Sequence, residues 1–225
     1  MNSISILDYF KMAKSRGLKL PIKYFLENHL FDIINGTDTH RWLPKEYYKE
    51  NLKNIDHGIL YMSSWTSILK KSTLIAMQIL ENENTSYDII DVGSGKGKAL
   101  LVWSKLNFPK DSVIYGIEYN KDLAEISKKN IEKVGYKNEI KVLINDITQV
   151  ETSIFSETLL IYLYNPFDEL IMKEFLINFK LKKIILIYNN PVHSSLFKEF
   201  GYTCIHSEKK WHPNANFNIY KSPHF

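Results

Sequence analysis

The chain has 225 residues, 44% of them hydrophobic and 24% charged, with a formal net charge of +4. That length suits one domain with an N-terminal extension; no apolar run is long enough to span a bilayer, and Met1 to Phe10 lacks both the basic start and the apolar stretch of a signal peptide. The single cysteine, Cys204, excludes an internal disulfide framework and a C-x-x-C metal pattern, so a reducing, cytoplasmic setting is expected.

Lysines are scattered among glutamates and asparagines, which reads as a mixed solvated surface and does not point to nucleic acid. Residues 1 to about 35 place Ile6, Tyr9, Phe10, Met12 and Ala13, then Ile22, Phe25, Leu26, Leu30 and Ile33, at helical spacing. Two short helices separated near Gly17 are expected, with Pro21 suited to a helix start. Asn35 to Pro44 is turn-rich and polar but carries Arg41 and Trp42, so it reads as a lid or a plain linker. After Gly58 comes an amphipathic helix through Ile68, Leu69, Ile75, Ala76, Ile79 and Leu80, which Ser63 or Ser64 can cap.

Asp88 to Val92 is a run with Ile89, Ile90 and Val92, the pattern of a strand covered on both faces. It breaks into Gly93-Ser94-Gly95-Lys96-Gly97 and restarts as a helix through Leu100, Leu101 and Trp103. A strand, a glycine turn and a helix make a nucleotide-sized cradle, because glycine turns sharply and leaves no Cβ between loop and ligand. The spacing is neither G-x-G-x-x-G nor that of a P-loop, since Ala99 stands where a P-loop needs Ser or Thr. Ser112 to Tyr119 is a second strand, placing the Glu118 carboxylate about 20 residues after the turn, where it can accept hydrogen bonds from ribose hydroxyls. A helix opening near Asn120 or Lys121 and a third strand, Ile140 to Asp146, follow. Two later strands, Thr158 to Phe167 and Lys183 to Pro191, end alike in Tyr-Asn-Pro and Tyr-Asn-Asn-Pro, with a crossover helix through Leu170, Ile171, Phe175 and Phe179 between them. Gly201 to Tyr220 reads as a closing pair of strands around Pro213-Asn214, with His206 and His212 on the surface.

Asp91-Val92-Gly93-Ser94-Gly95-Lys96-Gly97 resembles motif I of the class I S-adenosylmethionine (SAM) dependent methyltransferases. The resemblance covers roughly Tyr61 to Tyr220 and is closest to small bacterial members that combine Gly36-Thr37-Asp38-Thr39, D-x-G-S-G-K-G and Tyr164-Asn165-Pro166-Phe167. It implies an α/β Rossmann-like fold: a mostly parallel sheet with a C-terminal antiparallel hairpin, flanked by helices, in residues 58–225, with residues 1–57 as a helical or lid segment. It implies SAM as cofactor, S-adenosylhomocysteine (SAH) as product, and no metal. The implied cofactor contacts are Asp91, Gly93, Ser94, Gly95 and Gly97 at the turn, Glu118 with Tyr119 at the ribose, Asp146 with Ile147 at adenine, and Tyr61 and Ser64 at the methionine end. Tyr164 and Asn165 occupy the motif IV position beside the transferable methyl. That position commonly carries Asn/Asp-Pro-Pro-Tyr/Phe in enzymes acting on planar amino groups; the single Pro166 departs from it.

The methyl transfer needs a lone pair aligned on an electrophilic sulfonium methyl, plus base catalysis when the acceptor is a hydroxyl. His193, at the carboxyl edge of its strand, is a candidate base or simply a helix-start residue, and Asp168 and Tyr188 can orient a substrate. Three functions remain open: methylation of O or N on a small molecule or glycan, favoured; a protein-lysine methyltransferase, which the Tyr61-to-Ser64 helix start resembles; and a non-catalytic SAM-binding partner protein. A membrane partner is not expected. A basic residue beside a cationic sulfonium should turn outward, so Lys96 and Lys98 are expected to face solvent.

Overall fold

A computed structural model describes residues 6–41, 61–83 and 85–225. Trp42 and the expected turn up to Pro44 lie outside the described residues. The chain opens with α1 (Ile6–Arg16) and α2 (Lys19–Tyr24), separated at Gly17 as the pattern demands. A π-helical turn, Phe25–His29, then leads into α3 (Leu30–Asn35). Next come α4 (Thr66–Glu81), β1 (Asp88–Val92), α5 (Lys98–Trp103), β2 (Ile114–Glu118), α6 (Lys121–Ile131), β3 (Ile140–Ile144), β4 (Thr158–Tyr164), α7 (Glu169–Asn178), β5 (Lys183–Asn189), α8 (Ser194–Glu199), β6 (Thr203–Glu208) and β7 (Phe217–Lys221).

The seven strands form one sheet in the order β3-β2-β1-β4-β5-β7-β6. β1 to β5 pair in parallel, while β7 lies antiparallel between β5 and β6. Strand β1 is buried along its whole length, as its apolar run requires. Alternate residues feed two cores. Ile89, Leu160, Tyr162 and Ile187 pack with Leu69, Leu80 and Trp103 of α4 and α5. Ile90, Ile161, Leu163 and Leu186 pack with Phe175 and Phe179, at the end of α7, and Phe197 of α8. The strand order reverses between β1 and β4, so the crevice of this fold opens at the carboxyl ends of those strands.

Local signals fix the later helices. Asn120 caps α6 by accepting from the Leu123 amide at 2.9 Å, and Asp168 caps α7 by accepting from Leu170 and Ile171. The cap of α4 is different. The N-cap residue is Trp65, which makes no side-chain cap, and neither Ser63 nor Ser64 fills the role. Glu27 from the π turn does so instead, its carboxylate accepting from the Ser67 amide at 2.9 Å and the Ser67 hydroxyl at 2.5 Å. A carboxylate at a helix start meets the unpaired amides and the positive end of the helix dipole. It comes from 40 residues upstream, out of reach of any local capping rule. His212 also differs from its expected surface position: its ring stacks on Trp65 at 5.1 Å and its Nδ1 accepts from the Asn214 amide.

Candidate active site at the glycine turn

Two cavities adjoin at the carboxyl ends of β1 and β4, sharing Gly93, Tyr119 and Pro166 as walls. The larger encloses about 710 Å³ including its open mouth, and the smaller about 450 Å³. Of the residues expected at the cofactor, Tyr61, Ser64, Asp91, Gly93, Ser94, Glu118, Tyr119, Tyr164 and Asn165 line the larger. Asp146 and Ile147 line the smaller, an apolar slot completed by Val92, Ile117 and Phe167. Gly95 and Gly97 line neither cavity; the other residues of the pattern meet at the carboxyl ends of β1 and β4.

The glycines work partly against protein. Gly93 has φ +71°, and a Cβ there would come within 2.9 Å of Pro166 Cβ, so its bareness lets the Asn-Pro turn of β4 close onto the glycine turn. Gly95 has φ +52°, and a Cβ would drive into the Tyr61 ring, which closes onto the turn here. Gly97 is the left-handed N-cap of α5. The Gly95 amide donates to Glu118 Oε2 at 2.8 Å, and the Asn120 amide to Glu118 Oε1 at 2.9 Å. Glu118 thus braces the turn from the end of the neighbouring strand.

Asp91 and Glu118 are both buried, at 5% and 4% exposure. Burial, then repulsion from Glu118, pushes the Asp91 carboxyl up to about 8. Burial pushes Glu118 up to about 7, against the pull of the amides that donate to it. Ser94 Oγ and Tyr164 Oη are buried beside the cavity with no hydrogen-bond partner among the described residues.

At the mouth of β4, Asn165 holds φ +41°, a strained setting for a side-chain-bearing residue, and Asn190 after β5 holds φ +50°. The two echoing Asn-Pro turns are thus alike in backbone as well as in sequence. Asn165 Oδ1 accepts from the Tyr188 hydroxyl at 3.1 Å, and that hydroxyl accepts from the His193 amide at 3.3 Å. His193 meets this chain through its backbone at the start of α8, and it is not among the residues lining either cavity. Ser64 Oγ lies 3.0 Å from the Tyr162 hydroxyl, which lies 3.0 Å from Asn189 Oδ1.

The largest departure from expectation is at the two lysines. Lys96 is 0% and Lys98 3% exposed, so neither faces solvent. Lys96 Nζ reaches Asp38 at 3.2 Å, and Lys98 Nζ donates to the Glu27 carbonyl at 2.5 Å and to Asn28 Oδ1 at 2.7 Å. Burial drives Lys98 down to about 7, with Asp32 and Glu27 opposing. Both lysines are spent on holding the N-terminal segment against the turn. The Tyr61 hydroxyl donates to the Thr39 carbonyl at 2.6 Å, and Asn130 Nδ2 bridges the carbonyls of Asp38 and Lys96. Asp38, Asp32 and Lys98 carry no local sequence signal for these roles beyond one short run. That run is Gly36-Thr37-Asp38-Thr39.

The model of the methyltransferase domain family matches residues 83–219, more than half of the chain. The chain belongs to that family. A protein-L-isoaspartate O-methyltransferase of Aeropyrum pernix is 28% identical over 111 residues, covering 48% of this chain and 40% of that protein. This methyltransferase chain thus spans about two fifths of the length of that relative. Among solved structures, magnesium protoporphyrin IX methyltransferase from Synechocystis PCC 6803 with bound SAM aligns over 90% of this chain and 95% of its own, at 12% identity and TM-score 0.49. A SAM-dependent methyltransferase from Aquifex aeolicus aligns over 69% and 97%, at 16% identity and TM-score 0.47. M. capricolum TrmK in complex with SAH aligns over 65% and 66%, at 17% identity and TM-score 0.45.

Proposed function

We propose that this methyltransferase uses SAM to methylate an O or N atom of a small molecule or glycan. The observation that carries the reading is the placement of Glu118 and Asp91 around the glycine turn at the point where the strand order reverses. The residues present fit SAM. Two buried carboxylates with raised values are a site that a cation stabilises, and Ser94 Oγ and Tyr164 Oη are buried polar atoms awaiting partners. Glu118 and Tyr119 would hold the ribose, Asp146 and Ile147 the adenine in the apolar slot, and Asp91, Tyr61 and Ser64 the methionine end. When bound, SAM supplies an electrophilic methyl group on sulfur.

The chain's own part is to align the acceptor and keep water out. Asn165, held by Tyr188, and Tyr164 are placed to orient the acceptor. His193, one backbone hydrogen bond beyond Tyr188, is the candidate base for a hydroxyl acceptor once its ring turns toward the site. A small acceptor is favoured over a protein lysine because Thr39 and Tyr61 close over the turn. Asp91, Glu118 and Asp146 in place at three successive strand ends favour a working enzyme over a non-catalytic partner.

Calorimetric titration tests the cofactor, with binding of SAM and SAH expected and silence at millimolar ligand refuting it. A pH series sharpens the test. The unfolded carboxylates ionise near about 4 and the folded ones near 7 and 8, so these two groups stabilise the empty protein fully at low pH and that contribution is lost as pH rises through about 8. A bound cation pulls both values down and releases protons. SAM affinity should therefore rise about tenfold between pH 6 and 8, with a smaller rise for SAH, which lacks the sulfonium. Flat affinity with no buffer-dependent heat would show that neither carboxylate faces the cation. The acceptor is identified by labelled SAM on lysate separated into protein, nucleic-acid and small-molecule fractions, and label confined to protein would favour a lysine acceptor.

A further inference from the structure

The N-terminal helices are apolar on two sides. One side serves the fold: α1 packs Met12 and α3 packs Phe31 against the core, and α2 buries Leu20. The other side packs against nothing else among the described residues. Leu7 and Phe10 of α1, Leu18 just before α2, Ile22 of α2, and Phe25 and Leu26 of the π turn are between 44% and 72% exposed. They flank a groove lined by Tyr9, Phe10, Ala13, Leu18, Pro21 and Ile22 among others, and no charged side chain lines it. A contiguous apolar face of this kind marks an interaction surface.

The charges around it say what kind. From Ile6 to His29 the chain carries Lys11, Lys14, Arg16, Lys19 and Lys23 against Asp8 and Glu27. Glu27 in the π turn pairs with Lys23, so the rim cations that remain are those of α1 and Lys19. Lys11 and Lys14 follow Leu7 and Phe10 by four residues on α1, which sets them on the same side as the apolar residues. Asp8 pairs with Lys11 at 3.7 Å but both are exposed, so the pair cancels little. A two-fold contact between copies would set this basic rim against itself. A peptide needs polar groups in its groove to fix its orientation, and Tyr9, whose hydroxyl has no partner, is the only such side chain among those named. An apolar face rimmed by cations instead matches the headgroup and acyl boundary of an anionic bilayer.

We infer that α1, α2 and the π turn form a peripheral docking surface for anionic lipid membranes, through apolar insertion of Phe10, Leu18 and Ile22 and attraction of Lys11 and Lys14. This is attachment to a surface; among the described residues no helix is long and apolar enough to cross a membrane. It runs counter to the expectation that no membrane is involved, and it stands independently of the cofactor reading.

The test is flotation of the full chain with phosphatidylcholine vesicles, with and without phosphatidylglycerol. The chain should float with the anionic vesicles and be released by high salt. Phe10→Ser with Leu18→Ser, and separately Lys11→Glu with Lys14→Glu, should each lower vesicle partitioning about tenfold or more. All four side chains are exposed, so circular dichroism should show an unchanged fold. No flotation, equal flotation with neutral vesicles, or undiminished flotation of both variants overturns the inference. So does a dimer in light scattering that the Phe10/Leu18 variant dissolves, or tighter binding of an acidic amphipathic peptide than of the vesicles.

Discussion

Replacing Glu118 by alanine should weaken SAM binding about a hundredfold or more, a loss of about 2.7 kcal/mol. The side chain acts twice. It offers carboxylate lone pairs where the ribose hydroxyls would lie, and it accepts the Gly95 and Asn120 amides at 2.8 and 2.9 Å. Alanine leaves both buried amides without a partner, at roughly 1–3 kcal/mol each, so the turn relaxes as well as losing the proposed ribose contact. Glutamine separates the two effects. Its single amide oxygen can accept from Gly95 or from Asn120, while its NH₂ opposes the other, so Glu118→Gln should lose affinity while giving up only about half of the stability that alanine costs. Calorimetry gives the affinity and urea denaturation the stability. Wild-type SAM affinity in Glu118→Ala would mean that the ribose lies elsewhere.

Much of this site is legible in the sequence because its signals are local. A strand that ends in a glycine turn, and two following strands that each end in a carboxylate, are patterns within windows of ten residues. The parallel topology then brings their ends together without further instruction. The same holds for the antiparallel closing strands and for the paired Asn-Pro turns. The features that local sequence does not show depend on partners far along the chain. Lys96 and Lys98 look like solvent-facing residues because lysine is almost never fully buried without a partner. Their partners, Asp38, Asn28 and the Glu27 carbonyl, lie 58, 70 and 71 residues away. The cap of α4 fails to read locally for the same reason. A glycine turn in sequence suggests room for a ligand, yet at Gly93 and Gly95 the missing Cβ admits Pro166 and Tyr61. That is a fact of tertiary packing, and glycine in a sequence looks the same in either case.

Because the segment from Glu27 to His40 holds the turn through these long contacts, its own integrity is the second point of attack. Asp32 organises it. Its carboxylate accepts from Thr37 Oγ1 at 2.7 Å, from the Thr39 amide and hydroxyl at 2.8 Å, and from the His40 amide at 2.9 Å, with His40 Nδ1 at 2.5 Å. Burial raises such a carboxyl, but the hydrogen bonds from His40, Thr37 and Thr39 outweigh it and hold Asp32 well below the usual carboxylate range. A lowered folded value contributes stability that is present above the unfolded value of about 4 and lost as pH falls below it. Asp32→Ala should therefore cost about 3–5 kcal/mol at neutral pH, since it strands several buried donors at once. The contacts of Asp38 with Lys96 and Asn130, and of Thr39 with Tyr61, should go with it, so proteolysis should cut between Asn35 and Arg41 far faster in the variant. Asp32→Asn keeps the shape but takes up no proton, so its stability should fall less steeply below about pH 4 than that of the wild type, in which Glu27 and Asp32 both titrate. An unchanged urea midpoint in Asp32→Ala would show that the lysines alone hold the segment, and that the Gly36 to Thr39 run is placed by the glycine turn and not by α3.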